Sequence, residues 1–200
     1  ASYRSVATGR QQIEAADDFE LLGGFEMRIL ARSGEVLGLG VVPASGERPA
    51  STADDNARSV VLLLQLNGFK MLLMGDLTGG GLSSPDVEGL LAPSLGPVTV
   101  LRAGHHGSRT SSSSAFIAAT GPQVSLLSFG QDNRHCHSVQ EVVERLGASG
   151  WVYGTNSSPS QGCSAWSWPA RGADDCGEIL VRTSKGRQFT VGCAGNEVTF

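Results

Sequence analysis

Apolar and polar positions alternate along the chain in short runs separated by Gly-, Ser- and Pro-rich connections. The strongest signal is Ser59-Val-Val-Leu-Leu-Leu-Gln-Leu66, then Asn67-Gly68, then Phe69-Lys-Met-Leu-Leu-Met74. Asn-Gly best tolerates the positive φ angles of a type I′ turn, so these runs predict a β-hairpin. Their near-continuous hydrophobicity predicts burial on both faces. Upstream, Phe25–Leu30 and Val36–Val42 predict a second hairpin turning at Ser33-Gly34, and Pro43 to Asn56 reads as a loop. Residues 1–24 are polar and aperiodic, with acidic Glu14, Asp17, Asp18 and Glu20, and read as a tail or one short helix.

Downstream the pattern changes to strand and helix in alternation. Pro85–Leu91 predicts a helix, Val98–Leu101 a strand, and Ala115–Ala119 a short helix ended by Gly121-Pro122. Gln123–Phe129 predicts a buried strand. Val139, Val142, Val143 and Leu146 have the spacing of an amphipathic helix, and Trp151–Tyr153 follows as a strand. Asn156 to Asp175 is a Ser/Gly/Pro-rich loop holding Trp166 and Trp168, both assigned to packing. Gly177–Thr183 and Gln188–Val191, turning at Lys185-Gly186, predict a last hairpin. This order implies sheets covered by helices, in the α/β or α+β class.

Composition narrows the field. Two hundred residues, 40% hydrophobic, fit one globular domain. No apolar run approaches the ~20 residues that cross a bilayer. The net charge is −4 and the basic residues are scattered, which gives no indication of a standing nucleic-acid-binding surface and leaves a small anionic substrate open. The chain opens at Ala1 with neither an initiating Met nor a signal-type apolar region, which places its start at a processing or cloning boundary. The four cysteines, 136, 163, 176 and 193, form no Cys-x-x-Cys pair. Their even number points to disulfides and an extracellular or periplasmic protein, with buried thiols in a cytoplasmic protein as the alternative. Cys163 with Cys176, both in one loop excursion, is the expected first bridge.

The candidate chemistry lies at strand ends. Asp76 follows Gly75 at the end of a buried strand, where a carboxylate needs a hydrogen bond, an ion pair or a metal. A helix cap or turn acceptor is the plainer alternative. His105 and His106 follow the Val98–Leu101 strand on a loop with a glycine on each side, which suits metal binding; loop histidines without a role are the alternative. His135 and His137 flank Cys136 beyond the next strand, near Asn133, in a loop that caps a helix or faces a substrate. No histidine precedes His105. Asp and His donors match zinc, or manganese or iron in a harder site, and acid–base chemistry without a metal is also open to them.

Taken together, Asn56-x-x-Ser59, Met-Gly75-Asp76, Leu-x-Ala-Gly-His105-His106-Gly107-Ser108, Ser128-Phe-Gly130 and Asn133-Arg134-x-x-His137 resemble the metallo-β-lactamase superfamily. The branch is the one containing the C-terminal domains of ComEC-type DNA-uptake proteins and related hydrolases. The resemblance extends over roughly residues 56–191. It implies an αββα sandwich with a metal site at one edge, holding one or two Zn2+ ions, or Mn2+ or iron. Asp76 and His106 match metal ligands, with His105 as a further ligand or a catalytic group. His137 and Asn133 match positions near the substrate. The implied reaction is metal-dependent hydrolysis of a phosphoester, ester or amide, nucleic acid being one such substrate. The superfamily's His-x-His-x-Asp-His signature is absent from the chain. Residues 25–200 therefore read as the C-terminal half of such a domain, with a Cys-containing insertion at about 156–176. The implied partner is an N-terminal half-domain polypeptide carrying the remaining ligands, released by cleavage before Ala1 or separately encoded. A non-catalytic binding or structural module built on the same fold is the alternative.

Overall fold

The structure, a computed structural model, describes residues 18–20, 24–37, 40–41, 52–131, 133–157, 163, 167–184 and 187–200. Its first strands are β1 (Asp18–Glu20), β2 (Glu26–Arg32), β3 (Glu35–Val36) and β4 (Gly40–Val41). β2 and β3 form the hairpin expected at Ser33-Gly34. The acidic segment read as tail or helix is a strand over Asp18–Glu20, because Phe19 pairs opposite Met27 of β2. Glu14 and Asp17 lie outside the described residues. The stretch read as a loop ends in helix α1 (Thr52–Ala57), which puts Asn56 on a helix beside the sheet.

β5 (Val61–Leu66) and β6 (Phe69–Leu73) pair antiparallel with Leu66 opposite Phe69, so Asn67-Gly68 is the two-residue turn. Asn67 takes φ +53°, the conformation for which that residue pair was singled out. Helices α2 (Glu88–Leu95), α3 (Ser114–Thr120) and α4 (Gln140–Ser149) then alternate with β7 (Val100–Arg102), β8 (Val124–Leu127) and β9 (Trp151–Gly154). α2 starts three residues later than the pattern predicts, since Pro85 and Asp86 are held in the preceding turn by contacts with Thr78 and Gly79. β10 (Gly172–Ala173) adds to the sheet beside β9. β11 (Ile179–Thr183) and β12 (Phe189–Cys193) form the expected last hairpin, and β13 (Asn196–Thr199), which has no clear sequence signal, pairs with β12.

The large sheet runs β10-β9-β8-β7-β6-β5-β2-β3-β4, with β1 also on β2, and a separate sheet runs β11-β12-β13. Pairings from β6 through β10 are parallel and those from β6 back to β4 antiparallel. Successive residues of each strand face opposite sides. Leu72, Leu101, Leu127 and Val152 pack with Leu91, Phe116, Val142 and Leu146 of the helices. Their neighbours Met71, Val100, Leu126 and Tyr153 pack with Phe189 and Val191 of the small sheet. The result is one helical layer, one large sheet and one small sheet, a mixed α/β arrangement compatible with the expected sandwich. Each fully buried Leu, Val or Phe contributes about 1.5–3 kcal/mol of transfer free energy.

The expected burial of both faces of β5 and β6 holds fully on the helix face and in part on the other, where Leu66 and Phe69 are buried. Val61, Leu63 and Leu72 are buried under the helices, whereas Leu62, Leu64, Met71 and Leu73 are half-buried. The small sheet lies over β6 to β9, and Leu62 and Leu64 fall outside the cluster it covers. Among the described residues no helix is long and apolar enough to cross a membrane.

The disulfides are Cys136–Cys163 and Cys176–Cys193, not Cys163–Cys176. β10 separates the two cysteines of the excursion. Its parallel pairing with β9 delivers Cys176 to the interface between the sheets, opposite the end of β12, while Cys163 lies against the loop before α4. Two bridges fit an oxidising compartment, periplasmic or extracellular. Trp168 packs as expected, its indole Nε1 donating to the Val152 carbonyl at 2.9 Å. Trp166 lies outside the described residues.

Candidate functional site

Parallel strands β6, β7, β8 and β9 all end on the same edge of the sheet, where open α/β sheets bind ligands. Met74-Gly75-Asp76 leaves β6, Ala103 to Gly107 leaves β7, Ser128 to Gly130 leaves β8 and Thr155-Asn156 leaves β9. Every histidine of the chain and Asp76 lie on these connections.

Asp76 is placed from two directions. Its backbone N–H donates to Ser59 Oγ at 3.0 Å. The Gly75 carbonyl accepts from His105 N at 3.0 Å and from Arg102 Nη1 at 2.6 Å. Arg102, at the end of β7, thus bolts the two strand ends together. Burial lowers the affinity of its guanidinium for a proton, and the Asp76 carboxylate opposes that shift.

His106 faces Asp76, with Nε2 3.4 Å from Oδ1 and both side chains about two-fifths exposed. Its Nδ1 lies 2.6 Å from the Ser128 carbonyl. A carbonyl only accepts, so Nδ1 donates to it and Nε2 is the ring nitrogen left facing the carboxylate oxygen. A cation held between Nε2 and Oδ1 would bridge the two. A backbone carbonyl on the far ring nitrogen is also the arrangement that orients metal-ligating histidines. In kind, then, this donor pair fits zinc, manganese or iron. In number it falls short, since a catalytic zinc takes three protein ligands. Among the described residues no group of three or more His, Cys, Asp or Glu side chains is placed to hold a metal ion.

His105 stands beside this pair. Its Nε2 is 3.5 Å from Asn56 Nδ2 and its Nδ1 3.2 Å from Thr110 Oγ1, so both nitrogens have protein partners. Its ring is centred 6.3 Å from that of His106 and 5.1 Å from that of His137. His135 follows at 5.7 Å from His137. Burial first, and then the neighbouring imidazoles of His105, His135 and His106, push the His137 pKa down to about 4, and His105 is lowered with burial again as the first cause. Both rings are uncharged at neutral pH and can serve as hydrogen-bond partners to a substrate. Asn133 acts on backbone. Its Nδ2 donates to the carbonyls of His137 at 2.6 Å and Gly130 at 3.0 Å, and its Oδ1 accepts from His137 N at 2.8 Å. It staples the loop that presents His137.

The loops are held by close approach. Gly107 has φ +76°, and a Cβ there would lie 2.8 Å from Ser138 Cβ and 2.9 Å from Leu127 Cδ2. Ser138 Oγ donates to the His106 carbonyl at 2.7 Å and Val139 N to the Gly107 carbonyl at 3.1 Å. Gly107→Ala should therefore lower stability by about 3 kcal/mol, from left-handed backbone cost plus overpacking. Urea unfolding monitored by tryptophan fluorescence would measure it.

Behind the site lies a group with no sequence signal, Glu88 on α2. Its side chain is fully buried and its carboxyl accepts from Ser112 N at 2.6 Å and Ser113 N at 2.8 Å, where the histidine loop enters α3. Burial outweighs those two donors and pushes its pKa up to about 7. A glutamate in the first turn of a helix ordinarily reads as a solvated partner of the helix dipole, so nothing in the sequence marks it as buried.

No protein-family profile matches the chain. Among curated proteins it is similar to competence protein ComA of Neisseria gonorrhoeae, 38% identical over 99 residues, which are 48% of this chain and 14% of the relative. It is 33% identical to ComE operon protein 3 of Bacillus subtilis over 102 residues, 51% of this chain and 12% of that protein. It is 35% identical to Recombination protein 2 of Haemophilus influenzae over 95 residues, 48% of this chain and 11% of that protein. The chain spans between 11% and 14% of the length of these relatives.

Proposed function

We propose that this chain is the second half of a metal-dependent hydrolase domain acting on phosphodiesters in DNA uptake, with the remaining ligands supplied from outside these 200 residues. The observation that carries the reading is His106, its Nδ1 held by the Ser128 carbonyl and its Nε2 turned to Asp76 Oδ1. Similarity to a competence protein, a ComE operon protein and a recombination protein supports nucleic acid as the substrate class.

In this reading Asp76 and His106 hold one side of a zinc, manganese or iron site. When bound, such an ion supplies positive charge and lowers the pKa of a coordinated water toward neutrality. The chain's own residues set the rest. Arg102 keeps the Gly75–Asp76 turn in register with the histidine loop and adds a cation beneath the crevice. His105, its two ring nitrogens engaged by Asn56 and Thr110, walls the crevice as an uncharged ring, and His137, oriented by Asn133, stands uncharged beside it and donates a hydrogen bond to a phosphate oxygen. The half-buried Leu62, Leu64 and Leu73, outside the cluster under the small sheet, fit a face completed by the other half of the domain.

Purification without denaturant, followed by intact-mass and metal analysis, tests the reading. The expected result is co-purification of a polypeptide, or of a continuous longer chain, bearing His-x-His-x-Asp-His, with at least one equivalent of metal and hydrolysis of bis-p-nitrophenyl phosphate. A complete assembly with neither metal nor phosphodiesterase activity would leave the fold as a non-catalytic module.

A further inference from the structure

The two disulfides differ in setting. Cys176 and Cys193 are 5% and 6% exposed, inside the cluster between the sheets, where apolar packing already joins the elements they link. Cys136 and Cys163 are half-buried, at the rim of the crevice. Cys136 sits between His135 and His137, on a loop whose residues Arg134 and His135 are exposed. Little buried apolar surface holds that loop. Its internal bonds, the Asn133 amide to His137 and Cys136 N to the Asn133 carbonyl at 3.0 Å, close the turn on itself. The anchor at Ser138 lies after the histidines. Among the described residues, the covalent tie from the turn to a distant part of the chain is the bond to Cys163, 27 residues away.

We propose that the Cys136–Cys163 disulfide is a positioning element of the site: it sets the His135–His137 turn against His105, so that the crevice is complete only in the oxidised chain. The placement rests on geometry alone; its effect on turnover rests on the hydrolase reading above. Reduction by a dithiol proceeds by attack of one thiolate on an accessible sulfur of the bridge and expulsion of the other. The second thiol of the reagent then resolves the mixed disulfide. The reagent becomes a cyclic disulfide, and Cys136 and Cys163 each gain one electron and one proton to become thiols. The buried Cys176–Cys193 bond is shielded from this attack.

The test uses the full chain, in its assembly where activity is read, under graded dithiothreitol, with alkylation and mass spectrometry to count opened bonds. The double variant Cys136→Ala/Cys163→Ala serves alongside it and leaves the second bridge intact by construction. The expected signature is loss of the nuclear Overhauser contact between the His105 and His137 ring protons, whose rings are centred 5.1 Å apart in the oxidised chain. Hydrogen-exchange protection of the His137 amide should fall about 10-fold or more. In the assembled enzyme, KM for a phosphodiester should rise about 10-fold with kcat much less changed, because a displaced side chain weakens substrate placement. A disulfide that only stabilises would lower the melting temperature and leave the ring contact and KM of the folded protein untouched; that result overturns the proposal. Loss of the ring contact with KM unchanged overturns its catalytic part. An assembly with no hydrolytic activity sinks the hydrolase reading, while the ring contact still decides the positioning.

Discussion

Replacing Asp76 by Asn or His106 by Gln should strip the assembled protein of its metal and its phosphodiesterase activity while leaving the fold in place. Losing an outer-shell partner of a metal ligand typically costs about 10- to 100-fold in affinity or activity, so losing a direct ligand should cost more than that. Both side chains are about two-fifths exposed and face the crevice. Asp76 is held at its backbone, through Ser59 Oγ, and that bond survives the change. Stability should therefore shift by only about 0.5 kcal/mol, as for an ordinary surface substitution. Metal stoichiometry by plasma mass spectrometry, read beside the melting temperature, separates the two effects. Retention of metal and rate in both variants would remove the Asp76–His106 pair from the site.

The second large effect is a pH dependence of stability traced to Glu88. Its pKa rises from 4.5 when exposed to about 7 when folded. Between those values the folded chain keeps a proton that the unfolded chain has released, so stability is fully present below 4.5 and is lost as pH rises through 7. The shift corresponds to about 3 kcal/mol at full ionisation, or about 10 °C of melting temperature for a domain of this size. Glu88→Gln stays neutral throughout. It keeps one acceptor for Ser112 N or Ser113 N and turns its NH2 toward the other. The variant should be less stable than the parent at pH 5 and should lose less between pH 5 and 8. Subtracting its melting curve from the parent's isolates Glu88 from other titrating groups. Parallel pH profiles for the two proteins would assign the slope elsewhere. The physical origin is the contest between two good backbone donors and a site with no water access, which burial wins.

Much of this site was legible because it is local. The Asn67-Gly68 turn, the strand that ends in Gly75-Asp76 and the glycine-flanked His105-His106 pair each announce themselves within a few residues. Their convergence then follows from parallel strands sharing an edge. What stayed hidden depends on distant parts of the chain. Asn56 reads as loop because two Pro and many small polar residues precede it, yet α1 carries it to within 3.5 Å of His105. Arg102 looks like the polar end of a strand, and its two carbonyl partners become visible only once β6 lies beside β7. Asn133, read as a position near the substrate, makes three bonds to backbone that the sequence does not announce. The Cys163–Cys176 pairing was inferred from proximity along the chain, whereas proximity in space is decided by β10, a strand of two residues that no periodicity can reveal.

Counted from the N-terminus, the cysteines pair first with second and third with fourth. Their order carries a consequence for how the protein is made. Cys163 and Cys176 are the pair nearest each other in sequence, and short loops close most readily in a free chain. Refolding of the whole reduced polypeptide should therefore form that wrong bond in competition with the native ones, and the molecules that form it need isomerisation to escape it. A chain emerging N-terminus first through a membrane presents Cys163 to Cys136 while Cys176 is still behind. Vectorial delivery would lead directly to the native pattern, and an oxidase alone would suffice where bulk refolding needs a shuffling catalyst.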